Sequence, residues 1–197
     1  MLVFTSFGFR APIVKAKLRD VIDTVDKTVL IVPFAGYDPV NCALNEKNGL
    51  LDFGFEEHNI YVCTDRSSFE MPYNYIYVPG GDTFKLLCAM KSMNLTESVK
   101  RAVNEGATYI GVSAGAELAT VNLEYVRFLE DNNYSLDDYK GLSLVKDVII
   151  PHADQHRVSE QMRSVLDDEQ RGRILSIAND EVAVYETSEG SIDIRII

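Results

Sequence analysis

Ser113 stands between two glycines in the stretch Gly111-Val112-Ser113-Ala114-Gly115, after the apolar run that ends at Val112. In G-x-S-x-G the glycines let the backbone turn sharply, so the serine hydroxyl stands clear at the end of a strand. There it can serve as a nucleophile, with the Ala114 N–H and the start of the next helix placed to hold an oxyanion. The same small residues also make an ordinary tight strand-to-helix turn. Five positions alone leave both readings open.

A nucleophilic serine needs a base, and the chain has three histidines, His58, His152 and His156. His152 follows Val148-Ile149-Ile150-Pro151 and is expected at the C-terminal end of a buried strand, on the rim where Ser113 is expected. His58 precedes a strand and falls on the opposite rim. His156 opens the next helix as a cap, a substrate contact or a rival base. The acid that orients the imidazole would come from Asn179-Asp180-Glu181, through Asp180 or Glu181. Chain order would then be Ser, His, acid, unlike the Ser, acid, His order of α/β-hydrolases.

A second turn, Pro79-Gly80-Gly81-Asp82-Thr83-Phe84, also ends a strand and opens a helix. Paired glycines permit close backbone approach to a ligand, and Asp82 or Thr83 suits a helix cap. Parallel strands bring their C-terminal ends together, so this turn and the serine turn could supply two halves of one oxyanion hole. Such acyl transfer calls for no cofactor and no metal ion.

These residues need a scaffold, and the chain provides alternating strand and helix patterns. Strands are expected over 2–7, 28–35, 59–64, 73–78, 108–112 and 144–150. Helices are expected up to about 25, over 39–53, 83–93 and 96–104, from 114, and over 158–170. Alternation of this kind implies βαβ units, hence an α/β fold with a mainly parallel, flavodoxin-like sheet covered by helices on both faces. The near-continuous Val/Ile/Tyr runs fit fully buried strands. Residues 181–186 and 191–197 flank Ser188-Glu189-Gly190 and read as a C-terminal β-hairpin at a sheet edge. Residues 130–140 (EDNNYSLDDYK) form the one long polar segment, a candidate surface loop, lid or binding element.

Composition narrows the function classes. A chain of 197 residues, 46% hydrophobic and 25% charged, fits one domain spanning residues 1–197. Its formal net charge is −11, with Lys and Arg scattered, which argues against nucleic acid as a partner. The apolar runs fall far short of the ~18 residues of a membrane span. The start MLVFTSFGFR has no secretory leader pattern, so a cytoplasmic protein with no membrane partner is expected. Its three cysteines, Cys42, Cys63 and Cys88, are separated and read as buried free thiols. Monomer and homodimer stay equally open.

Taken together, Tyr77 to Phe84 (YVPGGDTF), Gly111 to Ala116 (GVSAGA) and Pro151-His152 resemble the peptidase E (aspartyl dipeptidase) and cyanophycinase family of serine peptidases. Leu2 to Ser6 is similar to that family's first strand, so the likeness runs through nearly the whole chain. The resemblance implies a fold related to class I glutamine amidotransferases, Ser113 as nucleophile, His152 as base, and Gly81 and Ala114 N–H groups as the oxyanion hole. Counting back four residues from Val184 in the family's pattern selects Asp180 as third triad member, with Glu181 second. It also implies a small peptide substrate, including dipeptides with N-terminal Asp, contacted by Asp82, His156, Arg157 or Arg163. In the aspartyl dipeptidases a longer segment after the histidine supplies the arginine; here ADQHRVSEQMRSVL is compact. A different class of function, a non-catalytic ligand-binding or regulatory domain on the same scaffold, predicts a Ser113 that is not hydrogen-bonded to any histidine.

Overall fold

A computed structural model describes residues 1–188 and 191–197. Strands and helices follow in the order β1 (Leu2–Thr5), α1 (Pro12–Leu18), β2 (Val29–Ile31), α2 (Pro39–Phe53), β3 (Ile60–Val62), β4 (Tyr75–Val78), α3 (Thr83–Ser92), α4 (Thr96–Asn104), β5 (Thr108–Val112) and α5 (Ala114–Leu118). Then come β6 (Val148–Ile150), α6 (Glu160–Ser164), α7 (Asp168–Arg171), β7 (Ile174–Ser176), β8 (Val182–Ser188) and β9 (Ser191–Ile196). The main sheet has seven strands in the order β3-β2-β4-β5-β1-β8-β9. Strands β1 to β5 pair in parallel; β8 pairs antiparallel with β1, and β9 with β8. The expected mainly parallel α/β sheet and antiparallel C-terminal edge are present. The expected turn of that hairpin, at Glu189 and Gly190, lies outside the described residues.

Side chains alternate between two cores, one on each face of the sheet. Phe4, Leu30, Ile76, Val78 and Tyr109 pack with residues of α3, α4 and α5 on one side. Val3, Val29, Ile31, Tyr75, Tyr77 and Ile110 pack with residues of α1 and α2 on the other. The period of two in a strand explains why adjacent residues such as Val3 and Phe4 enter different cores, and why both faces read as apolar in sequence. Among the described residues no helix is long and apolar enough to cross a membrane.

Two expectations need correction. The strand before His152 lies outside the main sheet: β6 pairs in parallel with β7 in a separate two-stranded sheet. The edge of β1 that it would have joined is already occupied by β8. The single helix expected over 158–170 is two short ones. Ser159 caps α6 by accepting from the Met162 N–H at 3.1 Å, and Asp167 caps α7 by accepting from the Gln170 N–H at 2.8 Å. Asp167 and Gln170 form a reciprocal capping box, so a new helix starts where the periodicity alone would continue one.

Residues 130–140 are anchored to α3. The Glu130 carboxylate accepts from the Thr83 N–H at 2.7 Å and the Phe84 N–H at 3.3 Å. Lys91 of α3 pairs with Asp138 at 2.7 Å. The polar segment thus caps and straps a helix rather than standing free.

Candidate active site

Ser113 follows β5 and precedes α5, with φ +50° and ψ −113°, a sparsely populated conformation for a residue with a side chain. Its N–H donates to the Thr5 carbonyl at 2.9 Å, tying the turn to the end of β1. Its own carbonyl accepts from the N–H groups of Ala116 at 2.8 Å and Glu117 at 3.0 Å. Gly115 is required by contact: a Cβ there would lie 2.0 Å from the Val78 carbonyl oxygen, so the turn is pressed against the end of β4. Such a strained elbow, locked from both sides, holds the Ser113 hydroxyl where other groups can reach it.

His152 reaches it. The two side chains, both half-buried, meet with Nε2 and Oγ 3.0 Å apart. His152 has φ +55°, and its N–H donates to the Ser6 hydroxyl at 2.9 Å. Ser6 in turn donates to the Ile177 carbonyl at 3.1 Å and the Ala178 carbonyl at 3.2 Å. One hydroxyl after β1 therefore fastens the histidine backbone to the turn after β7. The Phe7 ring packs edge-on against the imidazole, with centroids 5.0 Å apart.

The imidazole's other nitrogen, Nδ1, lies 2.9 Å from Asn179 Oδ1. This corrects the expected third member. Asp180 is exposed, and its carbonyl accepts from the Lys17 ammonium at 2.6 Å. Glu181 folds back to accept from the Ala178 N–H at 2.7 Å, closing the turn instead of approaching the histidine. Asn179 is itself held by its N–H, which donates to the Asp154 carboxylate at 2.7 Å. In the run Asn179-Asp180-Glu181 only the first residue faces the ring, a one-residue offset that charge alone could not reveal.

The glycine turn after β4 closes the other side. A Cβ on Gly80 would lie 3.0 Å from the Ser113 Cβ, so this backbone runs directly beside the serine. Gly81 has φ +149°, and a Cβ there would meet the Ala35 carbonyl oxygen at 2.2 Å. Among the described residues, neither the Gly81 nor the Ala114 N–H donates to a protein acceptor, whereas the next N–H, of Asp82, donates to Ala35 at 2.9 Å. Asp82 acts as the cap of α3, accepting from the Lys85 N–H at 2.8 Å.

A buried carboxyl lies behind this turn. Glu117 is 5% exposed, and burial pushes its carboxyl up to about 8. The Thr83 hydroxyl donates to it at 2.6 Å. Burial also raises the carboxyl of Glu130, which caps the same helix end.

The remaining candidates are scattered. The His156 ring lies 6.2 Å from that of His152, and burial lowers its pKa, with the His152 charge adding to the effect. Arg157 and Arg163 are exposed, Arg157 in the connection before α6 and Arg163 on α6. Ser6, Phe7, Asp154 and Asn179 escaped the sequence reading. Ser6 had a signal, since it follows a first strand ending on the same rim.

The geometry can be set beside known proteins. A sequence profile of Peptidase family S51 matches residues 4–193. A probable alpha-aspartyl dipeptidase of Drosophila melanogaster is 32% identical over 108 residues, covering 54% of this chain and 45% of that protein. A peptidase E of Haemophilus influenzae is 26% identical over 175 residues, covering 84% of this chain and 75% of that one. The match to the Drosophila protein, like that to an uncharacterized peptidase of Pasteurella multocida, spans 45% of the relative's length. A crystal structure of a candidate peptidase E protein from Listeria monocytogenes aligns over 100% of this chain and 98% of its own, with a TM-score of 0.72 and 22% identity, a shared fold. With a family profile covering nearly its whole length and the same fold beneath it, this chain belongs to peptidase family S51.

Proposed function

We propose that the chain is a serine peptidase that hydrolyses small peptides through an acyl-enzyme, with Ser113 and His152 as its catalytic residues and Asn179 as the residue that positions His152. The observation that carries this reading is the continuous contact from Ser113 Oγ to His152 Nε2 at 3.0 Å and from His152 Nδ1 to Asn179 Oδ1 at 2.9 Å. Asn179 Oδ1 can only accept, so it selects the imidazole tautomer with hydrogen on Nδ1. That leaves the Nε2 lone pair facing the serine hydroxyl, the arrangement a general base requires.

Chemistry then follows from the groups present. Ser113 Oγ bonds to the substrate carbonyl carbon as its proton passes to Nε2, and the carbonyl π electrons become an oxyanion. The N–H groups of Gly81 and Ala114 receive that oxyanion. Collapse breaks the C–N bond, and Nε2 returns its proton to the departing amine. Water repeats the sequence in reverse roles to release the acid and restore the serine. Asn179 carries no charge, so its contribution is to orient the ring rather than to neutralise the imidazolium.

Within this reading the substrates include dipeptides with an N-terminal aspartate; the Drosophila relative carries the name probable alpha-aspartyl dipeptidase. The alternative of a non-catalytic binding domain predicts a serine free of histidine, and Ser113 has one at 3.0 Å. Turnover of an Asp-Xaa and neutral Xaa-Xaa dipeptide panel by the wild type and Ser113→Ala tests the proposal. Hydrolysis lost in the variant supports it; hydrolysis unchanged in the variant refutes it.

A further inference from the structure

A cavity of about 310 Å³ reaches the glycine turn, with Gly80, Arg10, Asn41, Cys42, Asn45 and Glu46 among its walls. Gly80 separates it from Ser113, whose Cβ would lie 3.0 Å from a Cβ on that glycine. A peptide bound with its carbonyl at Ser113 therefore has an adjoining chamber for a neighbouring group.

The chemistry of the walls is selective. Glu46 is 2% exposed, and both its carboxylate oxygens are in use. Oε1 faces Arg10 Nη2 at 3.2 Å, and Oε2 accepts from the Tyr77 hydroxyl at 2.5 Å. Burial, reinforced by this carboxylate, pushes the Tyr77 phenol well above its ordinary range, so it stays a donor. Arg10 keeps one end on this buried anchor while its side chain remains 59% exposed. A guanidinium has five N–H donors in a rigid fork, so most of its capacity is left for an incoming acceptor.

Other charged walls do not compete for it. Asp38 is committed to α2, accepting from the Val40 N–H at 2.9 Å and the Asn41 side chain at 2.8 Å. Lys85, outside the walls, has its ammonium held by the carbonyls of Gly36 at 2.6 Å and Tyr37 at 2.7 Å. Asn41 and Asn45, four residues apart on α2, add carboxamides on the same face.

The geometry points to Arg10 as the specificity-determining residue that binds a carboxylate of the substrate in this chamber, with Glu46 and Tyr77 as its positioning residues. The assignment rests on the peptidase reading for the placement of the scissile carbonyl. It moves acid recognition from the segment after His152, where Arg157 and Arg163 are exposed, to the loop after β1.

Calorimetric titration of Ser113→Ala with Asp-Leu, Asn-Leu and Asp-Leu amide separates the side-chain carboxylate from the terminal one, and needs no turnover. Neutralising one of them is expected to weaken binding about tenfold or more, and adding Arg10→Met to reduce that penalty to about twofold or less. Because Arg10→Met leaves the buried Glu46 without its cation, Asn45→Asp at an exposed helix position gives a second readout. It should weaken the ligand carrying the recognised carboxylate several-fold and leave its neutral counterpart unchanged. No measurable Asp-Leu binding, a preference that survives Arg10→Met in folded protein, or equal weakening of all three ligands by Asn45→Asp overturns the assignment. A wild type that binds with this preference but hydrolyses nothing refutes the peptidase reading alone.

Discussion

His152 Nδ1 and Asn179 Oδ1 lie 2.9 Å apart, so the group that orients the imidazole is a neutral carboxamide. Asn179→Ala removes the acceptor that fixes the tautomer. We expect kcat to fall roughly 10- to 100-fold with KM little changed, read from steady-state kinetics on a cleaved dipeptide. Asn179→Asp places a negative charge beside the ring and favours the imidazolium. The acidic limb of the kcat/KM profile should move to higher pH than in the wild type.

Ser6 joins the ends of β1, β6 and β7 through one hydroxyl. Ser6→Ala leaves the His152 N–H without its acceptor at 2.9 Å, while the Ile177 and Ala178 carbonyls keep the Ala153 and Glu181 N–H groups as donors at 3.0 Å and 3.2 Å. An unsatisfied buried polar group costs about 1–3 kcal/mol, so a lower Tm is expected in calorimetry. Because the histidine backbone loosens, kcat should fall more than KM rises.

Glu117 sets a pH dependence of stability. Burial raises its carboxyl from 4.5 to about 8 in the folded protein, and raises Glu130 in the same direction. Between those two values the folded chain keeps a proton that the unfolded chain has released, so stability falls as pH rises through that window. Glu117→Gln cannot ionise and should flatten this slope. Denaturant unfolding at about pH 9 is expected to find the variant more stable than the wild type by on the order of a few kcal/mol, with the gap closing near pH 4.

Gly115→Ala tests the packing of the serine turn. The added Cβ would meet the Val78 carbonyl oxygen at 2.0 Å, backbone against backbone, with no flexible side chain to yield. We expect destabilisation of roughly 1–3 kcal/mol or more and loss of activity, whereas Gly106→Ala places its Cβ in open space and is penalised only by its φ of +110°. Paired thermal melts distinguish the two.

Much of this was legible in the chain. Strand runs such as Thr108–Val112 and helices such as Pro39–Phe53 stand out because fully buried strands are apolar throughout and because Asp38 and Pro39 mark a helix start. The serine and histidine are marked by glycines and by a strand end. The third residue was missed because sequence reasoning sought a charge, and Asp180 and Glu181 carry one, while the turn at Ala178 points Asn179 at the ring. β6 was placed in the main sheet because nothing local says that β8, more than thirty residues later, takes the edge of β1. Arg10 was passed over because its partner Glu46 lies a helix away in sequence, and only packing joins them.

The central claim, that His152 makes Ser113 a nucleophile, is tested most directly by reaction with a fluorophosphonate followed by peptide mass spectrometry. One phosphonyl adduct on Ser113 is expected, absent in Ser113→Ala and formed at least about a hundredfold more slowly in His152→Ala. A wild-type Ser113 that stays unmodified, or one labelled equally fast without His152, would contradict the account.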